Sequence, residues 1–279
     1  MFASIAIISK EGVDIALIIA LLLISTKGIL DAKKWLFYGC IMGIVTAVVL
    51  AIVALTNAWL ATAFKAKLTQ AAFLILLSYL IATTTIFIQS KPFTKDNSEA
   101  NIKTWKCALP LFILLLIAVF IVVRDGFNVA FFLLNLVHQS DITHSSIIIG
   151  SLIGVLQTIV VGAVAYAGLI LIEVNITLSV FPTLMALLSA GMAGQAVIKL
   201  SSIGLLPPII PQLWNTTPYF DHHSNWLALI MRVMVGYTEK PSLMQLIVYI
   251  ATFMAIFIIS KNAKRKRVRA IPLPPSVID

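Results

Sequence analysis

The chain has 279 residues, 60% of them hydrophobic and only 11% charged, with a mean hydropathy of +1.03. No water-soluble fold needs that much apolar surface, so the composition excludes a soluble domain and indicates an all-α, polytopic membrane protein. The formal net charge of +9 would suggest a nucleic-acid partner on a soluble chain, but here the excess lies in short loops and the tail, where it orients a membrane protein.

Seven apolar stretches are long enough to span a bilayer, each needing roughly 20 residues. In chain order they cover about 3–25, 35–56, 69–89, 107–137, 146–171, 181–204 and 242–260. The first is not read as a cleavable signal peptide, because Lys10, Glu11 and Asp14 stand where an uncharged segment belongs. The fourth is overlong and is expected to tilt or to project beyond the membrane. Residues 1–260 thus read as one transmembrane domain. It comprises a three-helix unit (1–90), a second three-helix unit (107–204), an external loop (205–241) and a last helix (242–260), followed by a basic cytoplasmic tail (261–279). Placing the N-terminus outside puts the loop lysines Lys27 to Lys34 and Lys91 to Lys106, and the tail cluster Lys261 to Arg269, on the inner side. Only Lys65, Lys67, Arg232 and Lys240 then lie outside, so an N-out, C-in orientation is expected. The tail cluster reads as a topology anchor that also suits anionic membrane lipid. Cys40 and Cys107 form no metal or disulfide pattern and read as packing residues.

Two charged cassettes interrupt these apolar runs: Lys10-Glu11-Gly12-Val13-Asp14 in the first stretch and Arg124-Asp125-Gly126-Phe127-Asn128 in the fourth. A charge at the centre of a membrane helix costs about 2.5–3.5 kcal/mol even on the lenient insertion scale, so such residues tend to be functional. The likeness runs on past the charges, 114 residues apart, and sets helices 1 and 4 in opposite directions. That is the pattern of an inverted 3+3 repeat with a seventh helix added, a design in which substrate sites lie near the midplane. At about 100° per residue, Lys10, Glu11 and Asp14 point toward one face, and so do Arg124, Asp125 and Asn128. Oxygen donors on facing helices suit a hard cation, and Lys10 and Arg124 supply the charge that keeps the carboxylates ionised. Gly12 and Gly126 permit close helix approach. A structural ion pair between the two helices is the competing reading.

Helix 4 carries a further polar stripe, Arg124, Asn128, Asn135 and His138, which reads as a wet lane or as ordinary interhelical hydrogen bonding. His138, Asp141 and His144 occupy the loop after helix 4, and Asp221, His222 and His223 the loop after helix 6. Imidazole and carboxylate together suit transition metals, so these loops read either as an outer, metal-collecting vestibule or as plain polar loops. Histidines in loops do not supply the intrahelical ligands of a b-type haem. Neither a Gly-x-Ser-x-Gly nucleophile elbow nor a His-Glu-x-x-His zinc motif is present, so no enzyme is expected.

The cassettes resemble the repeated Arg-Glu-Gly-Leu-Glu signature of oxidase-dependent iron permeases, the FTR-type family that includes bacterial EfeU-like permeases. Ser189-Ala190-Gly191-Met192-Ala193-Gly194 and Gly204-Leu205-Leu206-Pro207 are similar to the family's sixth helix and its exit. Leu213-Trp214-Asn215-Thr216-Thr217, Gly236-Tyr237 and Lys240-Pro241-Ser242-Leu243 are similar to elements that precede its last helix. The resemblance implies seven helices and transport of iron across the cell membrane as substrate. It implies no permanently bound cofactor, and an external oxidase or peroxidase as partner. The positions that match the iron-carrying glutamates are Glu11, Asp14, Asp125 and Asn128, with Lys10 and Arg124 in the arginine positions. Two carboxylates are thus shortened and one is replaced by an amide, and Lys199 brings a positive charge near the end of helix 6. These departures weaken the field on a multivalent cation. They leave two alternatives to an iron permease: a transporter of divalent Fe²⁺ or Mn²⁺ that needs no oxidation, or a non-transporting membrane scaffold or sensor.

Overall fold

A computed structural model describes residues 2–26, 31–90, 108–137, 144–170, 174–207, 209–216, 231 and 235–268. Eight helices are present among them: α1 (Phe2–Ser25), α2 (Ala32–Thr56), α3 (Ala58–Lys65), α4 (Lys67–Ser90), α5 (Ala108–Val137), α6 (His144–Ile170), α7 (Val174–Ser201) and α8 (Leu243–Val268). Among the described residues there is no strand. Seven helices coincide with the seven expected stretches, and α3 is an addition in the segment read as a connection. Six helices are long and apolar enough to cross a membrane. The 24-residue α1 has the length, but carries Lys10, Glu11 and Asp14.

The surface of the bundle is as apolar as its interior. Phe37, Ile41, Ile44 and Val48 on α2, Leu152, Leu156 and Ile159 on α6, and Ile250, Met254 and Phe257 on α8 are all exposed. Such a continuous apolar exterior around internally bonded helices is stable only in lipid. The chain is therefore a multi-pass membrane protein.

Close helix approach organises the interior. On α1 and α6, Ile8 meets Gly154 and Gly12 meets Thr158. On α2 and α5, Val122 meets Gly43 and Gly126 meets Ala47. A Cβ on Gly12 would lie 3.2 Å from Thr158 Cβ, and one on Gly126 would lie 3.2 Å from Ala47 Cβ. Residue numbers rise together in both pairs, so α1 runs parallel to α6 and α2 parallel to α5. Small residues at these contacts let the backbones pack closely where apolar lipid offers no hydrophobic drive.

The third pairing, α4 with α7, is closed by two serines 111 residues apart. Ser78 Oγ donates to the Ser189 carbonyl at 2.8 Å, and Ser189 Oγ donates to the Ser78 carbonyl, also at 2.8 Å. Both side chains are buried, so each hydroxyl is satisfied by the other helix. Between the pairs lies a dry core in which Leu17, Leu21, Leu22, Leu77, Ile117 and Ile121 are at most 1% exposed.

Beyond α7 the chain leaves the helix at Ser201, three residues before the expected end. Its N-terminal end lies earlier than expected, and the helix runs through Pro182. Segment 236–242 returns to the bundle as non-helical chain. Gly236, at φ +74°, presses against Gly191 so closely that a Cβ on Gly191 would lie 2.6 Å from its Cα. A left-handed backbone at direct backbone contact requires glycine on both sides. The Thr216 and Tyr237 hydroxyls bond to each other, and Gln245 Nε2 donates to Thr238 Oγ1 at 2.7 Å. Tyr249 Oη donates to the Val235 carbonyl at 2.8 Å, so this irregular segment has its polar groups met by protein, as a low-dielectric setting demands.

Candidate functional site

The two cassettes face the same space. A cavity of about 150 Å³ is lined by Lys10, Glu11 and Asp14 from α1 and by Arg124, Asp125 and Asn128 from α5. All six cassette residues named from the sequence therefore come together. Gln70 on α4 and Gln195 and Lys199 on α7 complete the polar lining. Sequence reasoning singled out Lys199 but missed both glutamines. The only signal for Gln195 was its place four residues before Lys199 on one helical face.

The polar groups are held by apolar and aromatic neighbours. Phe64, supplied by α3, packs 4.7 Å from Phe127 and 6.1 Å from Phe73, measured between ring centroids. All three rings line the cavity. The short helix therefore has a role: it contributes Phe64 to the aromatic wall of the cavity. Glycines at the third position of each cassette turn toward α6 and α2, leaving the charged residues on the faces that look into the bundle.

Arg124 and Asp125 form a two-pronged pair. Nε donates to Oδ1 at 2.5 Å and Nη2 to Oδ2 at 2.7 Å. Adjacent residues on a helix diverge by about 100°, and it is arginine's length that lets the guanidinium fold back onto its neighbour. The third nitrogen, Nη1, reaches Met192 Sδ on α7 at 3.7 Å. Asp125 is 2% exposed and the Arg124 side chain 14%, so the pair is held out of water. Asp14 is 9% exposed and lines the cavity from the other cassette. A smaller cavity of about 10 Å³, room for about one water, lies between Asp14, Arg124, Met192, Gln195 and the Gly191–Gly236 contact. Ile18 and Leu188 close it on the side of the dry core.

The charged groups converge on a cavity without closing on a point. Among the described residues, no group of three His, Cys, Asp or Glu side chains is gathered closely enough to hold a metal ion. The arrangement offers carboxylate and amide oxygens along a wall, suited to a partly hydrated cation in passage.

The extended polar stripe on α5 is divided. Arg124 and Asn128 line the cavity, but Asn135 borders a separate open groove with Ala54, Lys65 and Phe131. Its Nδ2 donates to the Phe131 carbonyl of its own helix at 2.6 Å, so it is satisfied locally. Lys65 Nζ sits 3.9 Å from the Phe131 ring centroid in that groove, a cation–π contact. His138, Asp141, Asp221, His222 and His223 lie outside the described residues, as does the side chain of His144.

No curated protein and no solved structure matches the chain significantly. The sequence profile of the iron permease FTR1 family matches residues 1–262, nearly the whole chain and all of the helical bundle but its last turns. With its apolar exterior and a charged cavity inside, this chain belongs to the iron permease FTR1 family.

Proposed function

We propose that the chain carries iron across the cytoplasmic membrane through the cavity between its two cassettes. The observation that carries this reading is the convergence of Glu11 and Asp14 with Asp125 and Asn128 on one cavity, from helices far apart in sequence. In this reading α1 is a seventh span, its Glu11 and Asp14 turned toward the cavity. The oxygens of the four residues replace part of the ion's hydration, while Arg124 fixes the Asp125 carboxylate through two hydrogen bonds.

The transport cycle rests on an inverted repeat. Three pairings support it. Ile8·Gly154 and Gly12·Thr158 on one side correspond to Val122·Gly43 and Gly126·Ala47 on the other, with α1 and α5 offset by 114 residues and α6 and α2 by 111. Ser78 and Ser189, also 111 apart, bond reciprocally, as two positions exchanged by a two-fold axis do. With the N-terminus outside, the cavity lies toward the external face and the dry core closes it below, an outward-facing state. Rocking of one repeat against the other would open the equivalent inner route. An external oxidase or peroxidase would present the ferric ion.

The test is radioactive iron uptake into proteoliposomes, with Fe²⁺ and Fe³⁺ offered separately. The Glu11→Gln, Asp125→Asn double variant is expected to lose uptake while remaining folded at the assay temperature, which size-exclusion chromatography checks, although its unfolding temperature falls. Normal uptake in that variant would refute the cassette route. A second reading, a divalent-ion path that needs no oxidation, is favoured by the cavity's balance of three carboxylates against Lys10, Arg124 and Lys199. Uptake of Fe²⁺ alone, without any oxidase, would select it.

A further inference from the structure

The charged cavity uses only one half of each flanking helix. From α4 it is lined by Gln70, Phe73 and Leu74, all before Ser78; from α7 it is lined by Gln195 and Lys199, both after Ser189. Ser78 and Ser189, bonded to each other in both directions, mark the middle of that pairing. On the far side of the serines the packing is shut. Ile81 on α4 and Met185 and Leu188 on α7 are all buried in the dry core.

Polar groups nonetheless stand in the closed half. Thr84 and Thr85 are both buried, and each hydroxyl donates to the carbonyl four residues back on α4: Thr84 Oγ1 to Leu80 at 2.9 Å and Thr85 Oγ1 to Ile81 at 2.7 Å. A hydroxyl has one proton to donate and two lone pairs to offer. The bond to the carbonyl uses the proton, so the group is cheap to bury, and it leaves the oxygen able to meet a hard cation. The two threonines are not equivalent under the offset of 111 residues that carries Ser78 onto Ser189. The same offset carries Thr84 onto Gln195, in the cavity wall, and Thr85 onto Ala196, in the dry core. It also carries Leu74, in the cavity wall, onto the buried Met185.

We infer that Thr84 is an oxygen ligand in the half of the ion path that is closed in this structure, taking the place of Gln195 when the two repeats exchange shapes. The inference rests on the cation path and the inverted repeat of the proposed function. In that shape Met185 forms the part of the wall that Leu74 forms here, and the cassettes, shared by both shapes, hand the ion from one half to the other. Thr84 therefore acts on passage and not on the first capture of the ion, which happens in the half that is already open.

The experiment has two arms on the full-length chain. In the first, radioactive iron is offered as Fe²⁺ and as citrate-buffered Fe³⁺, and uptake into proteoliposomes is compared with equilibrium binding to the purified protein in detergent. Thr84→Val removes the hydroxyl at nearly constant shape, and Thr84→Ser restores it. The expected result is uptake lowered by about tenfold or more in Thr84→Val with binding unchanged, and recovery of uptake in Thr84→Ser. In the second arm, Thr84→Cys and Gln195→Cys are each made in a Cys40→Ala/Cys107→Ala background and treated with a membrane-impermeant thiol reagent in intact cells and in inverted vesicles. The two cysteines are expected to react from opposite sides of the membrane. Parent-like uptake in Thr84→Val, equal losses of binding and uptake, reaction of both cysteines from one side, or no reaction of Thr84→Cys from either side would each overturn the role of Thr84. Loss of uptake in Glu11→Gln/Asp125→Asn would then leave the cation path standing. Parent-like uptake in that control would overturn the path and this inference with it.

Discussion

Removing Asp125 should injure the protein more than removing Asp125 and Arg124 together. Asp125→Asn keeps the side chain's shape but withdraws the charge that holds a guanidinium whose side chain is only 14% exposed. Breaking a buried ion pair from one side costs about 3–5 kcal/mol, most of it the stranded partner's desolvation. The cavity tempers that figure, since Asp14 and Glu11 line the same space and offer Arg124 other carboxylates. A loss of about 3 kcal/mol is therefore expected, a fall of roughly 6–12 °C in unfolding temperature if soluble-domain scaling carries over. In Arg124→Gln/Asp125→Asn no charge is stranded, and the loss should shrink to about 1 kcal/mol. Arg124→Gln alone strands the buried Asp125 carboxylate and should cost about 3 kcal/mol as well, so the cycle gives a coupling of about 5 kcal/mol, well outside additivity. Thermal unfolding of the four proteins in one detergent, followed by intrinsic fluorescence, closes the cycle. Additive losses, or an Asp125→Asn variant as stable as the parent, would refute the claim that these two bonds hold the α5 cassette in place.

Other contacts make equally definite claims. Ser78→Ala and Ser189→Ala should each cost about 0.6–1.7 kcal/mol and by equal amounts, since each hydroxyl donates one bond across the same interface; unequal losses in unfolding temperature would count against a two-fold relation there. Gly12→Ala should be damaging alone and recover when Thr158 is also made alanine, because the added methyl meets the Thr158 side chain, and thermal unfolding of the single and double variants checks this. Gly191→Ala meets the Gly236 backbone instead, so no side-chain truncation should rescue it; loss of folded protein on size-exclusion chromatography, unrelieved by second-site alanines, is the expected outcome.

The helices were legible because lipid demands long apolar runs, and five of the seven lie within three residues of their expected limits, while α7 starts at Val174 rather than 181 and α8 ends at Val268 rather than 260. The cassettes were legible for the opposite reason: a charge such as Asp125 stands out where nearly everything else is apolar. What escaped notice was polar but uncharged. Gln70 and Gln195 near helix ends look like ordinary interfacial residues until the bundle turns them toward Glu11 and Asp125. The eight-residue α3 is too short to register as a span, yet it delivers Phe64 to the cavity wall. At the start of α7, Asn175, Thr177 and Ser179 lower the hydropathy and Pro182 reads as a stop, so a helix that neighbouring helices support was expected to begin late. Asn135 was grouped with the cavity residues by its angle alone, but it lies nearly two turns beyond Asn128 and is satisfied by its own helix.

The serine pair has a consequence for motion. When two halves of a machine exchange shapes about an axis, points on that axis are the ones that do not have to move. Ser78 and Ser189 bond each other by the same donor and acceptor atoms in both directions. Swapping the roles of the two halves therefore returns the same hydrogen bonds. Contacts off the axis must be broken in one shape and remade in the other, but this one survives the exchange unaltered. Under the proposed repeat it would serve as the bearing of the rocking movement, a place where stability does not have to be surrendered for turnover.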